Sequence, residues 1–324
     1  MTAPACRVCR SDRVREVARV EYFSGFPCAI VDCDACGCRS SAHDATVHAR
    51  LHEVPGISYY ADYRALLAAS QACFDRRDGA GLDQLLRARP KYQYVLDQLA
   101  QVGQGRILEW GCSRGYLTAP SILAGRDILG VDVAADAVTA ARRAFGDHFV
   151  HEDSPVITER APYAAIYHVG LIGCVADPVG LTRQLLSLLA PGGRLFFNAP
   201  NRNAMHRRGQ VWLDSAPPPE LITLFPEGFW SDHFGGEATV RETARITSPQ
   251  DSTIKSLQHW LGAPWQPPAP HHIDSESAHE WHQPSAGPLW RALEAVVSKI
   301  STTMGVRLGA WPEEYGLFVE MTAR

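Results

Sequence analysis

The sequence lacks any run of apolar residues long enough to span a membrane, which argues against an integral membrane protein. It also lacks an excess of basic residues, because 31 lysines and arginines stand against 35 acidic residues and give a formal net charge of −4. Proteins that bind a nucleic-acid backbone usually present a basic face. The N-terminus has no charged segment followed by an apolar one, as a secretory signal would. These absences predict a cytoplasmic protein that binds neither a membrane nor a nucleic acid.

A further absence concerns the glycine turn near residue 111. Arg106–Trp110 is an apolar run of strand length, Gly111–Gly115 follows as a turn, and a second apolar run ends at Asp132. This order predicts a ribose-bearing cofactor, because amides at the turn approach the ligand and the carboxylate accepts bonds from ribose hydroxyls. The G-x-G-x-x-G spacing of dinucleotide-binding turns is missing. The turn therefore argues against a dinucleotide.

The same residues resemble motif I of the class I S-adenosylmethionine-dependent methyltransferases. In that family the first strand ends in an acid, here Glu109, before a turn of the type G-x-G-x-G, and Ser113 replaces its middle glycine. The resemblance implies an α/β fold with a Rossmann-like, seven-stranded sheet and S-adenosylmethionine as cofactor. It also implies that Glu109 or its neighbours hold the methionine amino group and that Asp132 holds the ribose. Serine is small, so the cofactor can still approach closely.

Later segments extend the resemblance over roughly residues 90–203, and each predicts one element of the expected sheet. The segments are Phe149–His151 as a third strand, Tyr163–Val169 as a fourth, a leucine stripe of helical spacing ending at Pro191-Gly192-Gly193, and Arg194–Asn198 as a fifth strand before Ala199-Pro200-Asn201. The acid after the third strand, Asp153, is expected at the adenine amino group. The full set of residues expected to contact the cofactor is Glu109, Gly111, Cys112, Ser113, Gly115, Asp132, Val133, Asp153, Ser154 and His168.

The usual base candidates of the family are missing. Many relatives carry an acid at the start of the fourth strand and a histidine in the loop after it, where this chain has Ala164 or Ala165 and, near the loop, Cys174. Methyl transfer depends mainly on alignment and exclusion of water, and a base is needed only for a protonated nucleophile. We expect catalytic roles for His233, His206 and Asp232, with Asp214 and Glu220 as further candidates, although each is also a normal solvated polar residue.

Cysteines are concentrated at the N-terminus, where six of the nine lie in the first 38 residues. Two C-x-x-C pairs separated by a few tens of residues predict a tetrahedral zinc site. The expected ligands are Cys6, Cys9, Cys33 and Cys36, with Cys38 as a possible replacement for Cys36 and Cys28 as a core residue. A disulfide framework is the alternative, and the missing signal sequence argues against it. Four thiolates leave no open position, so the predicted role of zinc is structural.

A cysteine module followed by a methyltransferase core resembles bacterial methyltransferases that act on sugars and other specialised metabolites. The resemblance spans roughly residues 1–203, and it departs at the end because the sugar C-methyltransferases carry a longer C-terminal domain. The expected organisation is a zinc-binding module at 1–56, a helical cap at 57–103, and a cofactor-binding domain at 104–324 with a lid at about 204–290. In the cap, the candidates for contact with cofactor or substrate are Tyr59, Tyr60, Tyr63, Lys91 and Tyr92, although a run of aromatic residues at helical spacing more often belongs to the core.

The region after Asn203 is rich in loops but also in aromatic residues, which argue for an ordered lid rather than a disordered tail. These residues are Trp212, Phe225, Phe229, Trp230 and Phe234. An apolar run at Tyr315–Met321 predicts the final strand of the sheet. The histidines His271, His272, His279 and His282 are irregularly spaced and do not predict a second metal site.

Two functional hypotheses follow from the sequence. The first is an S-adenosylmethionine-dependent methyltransferase that acts on a small molecule, by O-methylation of a sugar or specialised metabolite. The second is a catalytically inactive methyltransferase-like scaffold that binds a protein partner through its zinc module, which the missing base candidates keep open. The preserved pair of acids favours the enzyme. The sequence gives neither the acceptor atom nor the oligomeric state.

Overall fold

A computed structural model describes residues 5–23, 25–42, 59–207, 210–213, 216, 218, 221–248, 296 and 314–324. The chain divides into two compact units. The first takes its residues from 1–61, 200–229 and 244–317, and the second from 62–199, 230–243 and 318–324. This division differs from the expected boundaries, because residues 200–229 group with the N-terminal residues rather than with the α/β domain.

The first unit contains a four-stranded sheet in the order β1-β2-β3-β9, with antiparallel pairing throughout. Its strands are β1 (Val14–Phe23), β2 (Phe26–Cys33), β3 (Arg39–Ala42) and β9 (Thr223–Leu224). Strand β1 lies at one end of the sheet and carries three exposed charged residues, Arg15, Glu16 and Arg19. Charged side chains on an edge strand discourage pairing with other chains. The opposite end is formed by β9, which comes from far along the chain.

Three helices lie within residues 59–99, in the segment predicted as a helical cap. They are α1 (Tyr59–Asp75), α2 (Gly79–Arg87) and α3 (Pro90–Leu99). Helix α2 is capped by Asp78, whose carboxylate accepts a hydrogen bond from Gly81 N at 2.8 Å. Helix α3 begins at Pro90, a residue suited to the first helical turn because its missing N–H has no helical partner there.

The second sheet has seven strands in the order β10-β11-β8-β7-β4-β5-β6, as expected for the predicted fold class. Its strands are β4 (Ile107–Trp110), β5 (Ile128–Asp132), β6 (Phe149–His151), β7 (Tyr163–His168), β8 (Leu189–Ala199), β10 (Ala238–Ser248) and β11 (Glu314–Ala323). The neighbours from β6 to β8 pair in parallel. Because β4 lies between β5 and β7, the strand order reverses there, and ligands of open α/β sheets bind at such a point, beyond the carboxyl ends of the strands.

Six further helices are described. They are α4 (Ala119–Leu123), α5 (Ala135–Phe145), α6 (Val156–Glu159), α7 (Pro178–Ser187), α8 (Arg202–Arg207) and α9 (Phe229–Phe234). The predicted leucine helix corresponds to α7, but it ends at Ser187. The Pro191-Gly192-Gly193 segment already belongs to β8, whose pairing with β7 is irregular at this point.

Strand β10 lies in the region that the sequence predicted as a lid. Its exposed positions include Thr239, Arg241 and Thr243, and it forms one end of the sheet. An edge strand with few apolar residues lacks the apolar run by which β4 and β5 were predicted. The final strand, β11, was predicted and lies between β8 and β10.

One face of the seven-stranded sheet is covered by a large apolar cluster that includes residues of α1 to α5. Within it, Tyr167 stacks on Phe196 with ring centroids 5.7 Å apart, and both side chains are fully buried. Among the described helices, none has both the length and the apolar character that crossing a bilayer requires.

Candidate functional site

The turn between β4 and α4 depends on left-handed backbone conformations. Gly111, Ser113 and Gly115 have φ angles of +74°, +49° and +81°. Glycine adopts such angles without steric strain, whereas serine does so less readily. The carboxylate of Asp132 supports the turn at Ser113, whose backbone N–H donates to Oδ2 at 2.7 Å. This hydrogen bond compensates for the departure from the G-x-G-x-G pattern.

Gly115 serves packing as well as backbone geometry. A Cβ atom at this position would lie 2.5 Å from the Phe149 ring and 3.1 Å from Ala141 Cβ. A Cβ atom on Gly111 would lie 3.2 Å from Leu171. These glycines therefore let the turn pack closely against the side chains of β6, α5 and the loop after β7.

We expect the Gly115→Ala variant to lose about 2–4 kcal/mol of stability, because a strained φ adds to a steric overlap that Phe149 must relieve. Gly125 is the matched control, since it has a φ of +68° but nothing within 4 Å of its Cβ position. Gly125→Ala should lose only about 1–2 kcal/mol. Denaturant unfolding measures both values, and equal losses would contradict the packing role of Gly115.

Asp132 ends β5 and is held by two backbone amides. Its Oδ2 accepts from Ser113 N at 2.7 Å, and its Oδ1 accepts from Ala134 N at 2.9 Å. A carboxylate offers about four lone-pair sites, so each oxygen keeps one for a ligand. The two amides thus orient the carboxylate for a pair of ligand hydroxyls.

Glu109 lies in β4 and is buried at 3% exposure. Its Oε2 accepts two hydrogen bonds, from Thr118 Oγ1 at 2.5 Å and from the Tyr167 hydroxyl at 2.9 Å. Burial raises the pKa of Glu109 to about 8, although both hydrogen bonds oppose this shift. A buried carboxyl with a raised pKa gains its charge most easily when a cation binds beside it.

The end of β6 brings Val133 and Asp153 to the same imidazole. His151 Nε2 donates to Val133 O at 2.8 Å, and His151 Nδ1 lies 3.3 Å from an oxygen of Asp153. Val133 is 64% exposed, although it directly follows a buried strand. The Asp153 side chain is also exposed. Ser154 donates its backbone N–H to His151 O at 2.9 Å and so closes the turn.

Two residues expected at the cofactor have buried side chains. The Cys112 thiol is 2% exposed, and burial raises its pKa well above the usual value, so only its backbone is suited to contact a ligand. His168 is fully buried and stacks on Phe197 with ring centroids 4.5 Å apart. Burial lowers the pKa of His168 to about 3, so the ring is neutral at physiological pH. Within the described part of the chain, neither of its nitrogens has a hydrogen-bond partner.

The catalytic candidates are only partly described. In α9, Trp230 and Phe234 are buried while Asp232 is exposed and His233 is half-buried. Asp232 is two positions from Trp230, which places it on the opposite, solvent-facing side of the helix. His206 lies in α8, but its side chain is not described. Asp214 and Glu220 lie outside the described residues. Their catalytic roles stay predictions.

Lys91 lies close to the carboxyl end of β7. Its Nζ is 4.0 Å from the Cβ position of Gly170, in the loop after β7, and 5.3 Å from the centroid of the Tyr92 ring. The Tyr92 hydroxyl is 3.2 Å from the Tyr116 hydroxyl, which follows the glycine turn. The sequence named Lys91 and Tyr92 as candidates. The sequence did not predict Thr118 and Tyr167 as hydrogen-bond partners of Glu109, because Thr118 follows a turn and Tyr167 lies inside an apolar strand.

The four predicted zinc ligands form one cluster. The sulfurs of Cys6, Cys9, Cys33 and Cys36 all lie within 4.8 Å of one another, and two of the separations are 3.7 Å and 3.6 Å. A tetrahedral zinc ion with Zn–S bonds of about 2.3 Å requires sulfurs about 3.8 Å apart. The hydrogen bond with the Cys36 thiol raises the pKa of Cys6 to about 12, and burial is the second cause of this rise. The donor set therefore fits a cation that stabilises thiolates.

Both C-x-x-C pairs form the same turn. The residue after each pair donates its N–H to the carbonyl of the first cysteine, Arg10 to Cys6 at 2.8 Å and Gly37 to Cys33 at 2.9 Å. Arg10 and Gly37 have φ angles of +62° and +71°. The compact four-sulfur group contains Cys36 and does not contain Cys38.

The protein family and the curated relatives that match this chain are methyltransferases. Residues 77–234 match a protein family described as Methyltransferase domain. A ubiquinone biosynthesis O-methyltransferase of Bordetella avium is 28% identical over 174 residues, which cover 51% of this chain and 70% of that relative. Another, of Aliivibrio fischeri, is 26% identical over 120 residues, covering 35% of this chain and 51% of that relative. Thus the chain spans about half the length of the second relative.

Among solved structures, a similar chain is the N-methyltransferase NodS of Bradyrhizobium japonicum in complex with S-adenosylhomocysteine. It is 13% identical, with a TM-score of 0.40, and the match covers 72% of this chain and 86% of that chain.

Proposed function

Since this chain is an S-adenosylmethionine-dependent methyltransferase whose residues 77–234 match a methyltransferase domain, we propose that it methylates an oxygen atom of a sugar or other specialised metabolite. One observation carries the proposal. Glu109 and Asp132 lie at the ends of neighbouring strands on either side of the glycine turn, and each carboxylate is oriented by hydrogen bonds. This arrangement suits a ligand that has both an ammonium group and ribose hydroxyls.

The chain's residues fit each part of the cofactor. We assign the ribose hydroxyls to Asp132, the ammonium group to Glu109 and the cofactor carboxylate to Lys91. The exposed apolar surface of Val133 suits the adenine face, and Asp153 suits the adenine amino group. S-adenosylmethionine supplies the methyl group on a sulfonium, which needs no further activation.

The choice of oxygen as acceptor is supported by the names of the relatives, which are O-methyltransferases. The choice of a sugar or specialised metabolite is supported by the combination of a cysteine module with this core. A hydroxyl acceptor must lose its proton, and His233, His206 and Asp232 are the proposed candidates to accept it. The chain's other contribution is to align the acceptor with the methyl group and exclude water.

We assign the cysteine cluster to a structural zinc ion. Four thiolates of Cys6, Cys9, Cys33 and Cys36 would close the coordination sphere, leaving no position for substrate or water. The described part of the first unit has one four-stranded sheet beside these cysteines, so the metal would supply stability that a small apolar core does not.

The proposal is tested by calorimetric titration with S-adenosylmethionine and S-adenosylhomocysteine, followed by a methyl-transfer screen. We expect dissociation constants on the order of micromolar for both ligands. The screen includes hydroxylated sugars, nucleotide sugars and phenolic metabolites, with amine and thiol analogues as controls. Transfer to an amine or thiol but to no hydroxyl would contradict the proposed acceptor. No binding to folded, zinc-loaded protein would contradict the proposed cofactor site.

We expect the Asp132→Ala variant to bind S-adenosylhomocysteine at least about tenfold more weakly, because two charge-assisted hydrogen bonds to the ribose are lost. Asp147→Ala is the matched control. Asp147 has the same charge and is exposed in the loop between α5 and β6. Titration calorimetry on both variants gives the comparison, and unchanged affinity in Asp132→Ala would refute the assignment.

A further inference from the structure

A buried carboxylate lies directly beside one of the zinc-binding cysteines. Asp32 precedes Cys33 and is 4% exposed. Its two oxygens accept from Arg39, Nε at 2.6 Å and Nη2 at 2.9 Å, and Oδ2 also accepts from Arg202 Nη2 at 2.9 Å. Arg39 belongs to the cysteine module, whereas Arg202 is the first residue of α8. One carboxylate thus joins two stretches of chain separated by 170 residues.

Other contacts join the same two stretches within the first unit. Strand β3 pairs with β9, and Ser41 N donates to Ile222 O at 3.1 Å. Arg39 Nη1 donates to Val211 O at 3.0 Å. A Cβ atom on Gly37, in the second cysteine turn, would lie 3.1 Å from Pro226. The cysteine module therefore packs directly against Val211 and residues 222–226.

Within residues 200–207 and 221–229, side-chain hydrogen bonds join the start and the end of this later stretch, because Asn201 Nδ2 donates to Glu227 Oε1 at 2.9 Å and Glu227 N donates to Asn203 Oδ1 at 3.2 Å. Its start and end meet in an isolated bridge between Asn201 and Phe225, in which Arg202 N donates to Phe225 O at 2.8 Å and Phe225 N donates to Pro200 O at 3.0 Å. Strand β9 has two residues, and its described pairing partner is β3. A two-residue strand does not hold its conformation without a partner.

We propose that metal occupancy at the four cysteines controls the conformation of residues 200–207 and 221–229, with Asp32 and Arg202 as the link. This inference rests on the proposed zinc site. The metal fixes the Cys33–Gly37 turn, the turn fixes Asp32 and Arg39, and these residues hold Arg202 and the partner strand of β9. The stretch begins one residue after β8 ends. Its conformation is therefore set by a metal site far away in the sequence.

Coupling between two sites acts in both directions. Removing the metal loosens residues 200–207 and 221–229, and removing the Arg202 side chain weakens retention of the metal. Faster loss of the metal from a protein without the Arg202 side chain would show that Arg202 is coupled to the metal site. A residue that only stabilises its own surroundings would not have this effect, because Arg202 is far in sequence from all four cysteines and is not a ligand. Both directions are measurable without knowing the methyl acceptor.

The first measurement is hydrogen exchange by mass spectrometry on the full chain, zinc-loaded and after chelation. We expect exchange at residues 200–207 and 221–226 to become at least about tenfold faster after chelation, with β4 and β5 unchanged. Unchanged protection of 200–207 and 221–226 in the stripped protein would overturn the proposal.

The second measurement is the rate of zinc transfer from the Arg202→Met variant to a chromophoric chelator. We expect transfer about tenfold faster than from the wild-type protein. Arg19→Met is the matched control, since Arg19 lies in the same module but pairs with Glu16 at the surface. Equal transfer rates for Arg202→Met and Arg19→Met would overturn the link. Titration of the same samples with S-adenosylhomocysteine reports on the proposed methyltransferase function separately.

Discussion

Replacing Glu109 with glutamine is expected to weaken binding of S-adenosylhomocysteine by about 100-fold, because a charge-assisted hydrogen bond to the ligand ammonium is lost in a buried site. Glutamine has nearly the same shape, and its carbonyl oxygen still accepts from Thr118 and Tyr167. The variant therefore tests the charge of residue 109 rather than its packing. Titration calorimetry gives the ratio of dissociation constants.

The same variant is expected to make the ligand-free protein more stable at pH 8. The folded-state pKa of Glu109 is raised by burial to about 8, above the unfolded value of about 4.3. The stability that this carboxyl contributes is thus fully present below about pH 4 and is lost as the pH rises through 8. Glutamine does not ionise, so Glu109→Gln should gain about 1–3 kcal/mol relative to wild type at pH 8 and little at pH 4. Thermal unfolding at both pH values measures the difference.

The pH dependence of cofactor affinity gives an independent check on Glu109. The ammonium group prefers the ionised carboxylate, so wild-type affinity should decrease as the pH falls below about 8, by up to about tenfold per unit. Glu109→Gln should lose this dependence. Glu159→Gln is the control, because Glu159 is exposed on α6. A flat wild-type profile, with Glu109→Gln binding as tightly as wild type, would contradict the assignment.

The elements around the cofactor site were predictable because their signals are local. An apolar run followed by an acid and glycines identifies β4, β5 and the turn within about thirty residues of sequence, on the principle that buried parallel strands are apolar. The partners of Glu109 were not predictable in the same way. Tyr167 reaches it from β7, 58 residues later, and its sequence context is that of a core residue.

The sequence also did not predict which residues surround the cysteine module. The ligand spacing is local and predicted the cluster, but the strand that completes the module's sheet, β9, has two residues and lies about 180 residues beyond β3. Such a short strand has no periodicity of its own. Its position follows from pairing with β3 and from the Asp32–Arg202 ion pair, which no local pattern reports.

Replacing Cys33 with serine is expected to lower the affinity for zinc by at least about 100-fold, because a hydroxyl is a poor substitute for a thiolate ligand. Structural zinc contributes on the order of 10 kcal/mol to the folding of small domains, so the metal-free module should lose protection over β1, β2 and β3. Elemental analysis should give about one zinc per chain in the wild-type protein and much less in the variant after chelator dialysis.

Two other cysteines, Cys28 and Cys38, provide control substitutions for this prediction. Cys28 is buried in β2 outside the four-sulfur cluster, and burial raises its pKa to about 11, so Cys28→Ser should keep the metal while losing some packing. Cys38→Ser should also keep it, because the cluster contains Cys36 instead. If Cys38→Ser lost zinc and Cys36→Ser retained it, Cys38 would be the fourth ligand. A wild-type protein that folds fully, with protected β1 to β3 and no bound metal, would refute the zinc site altogether.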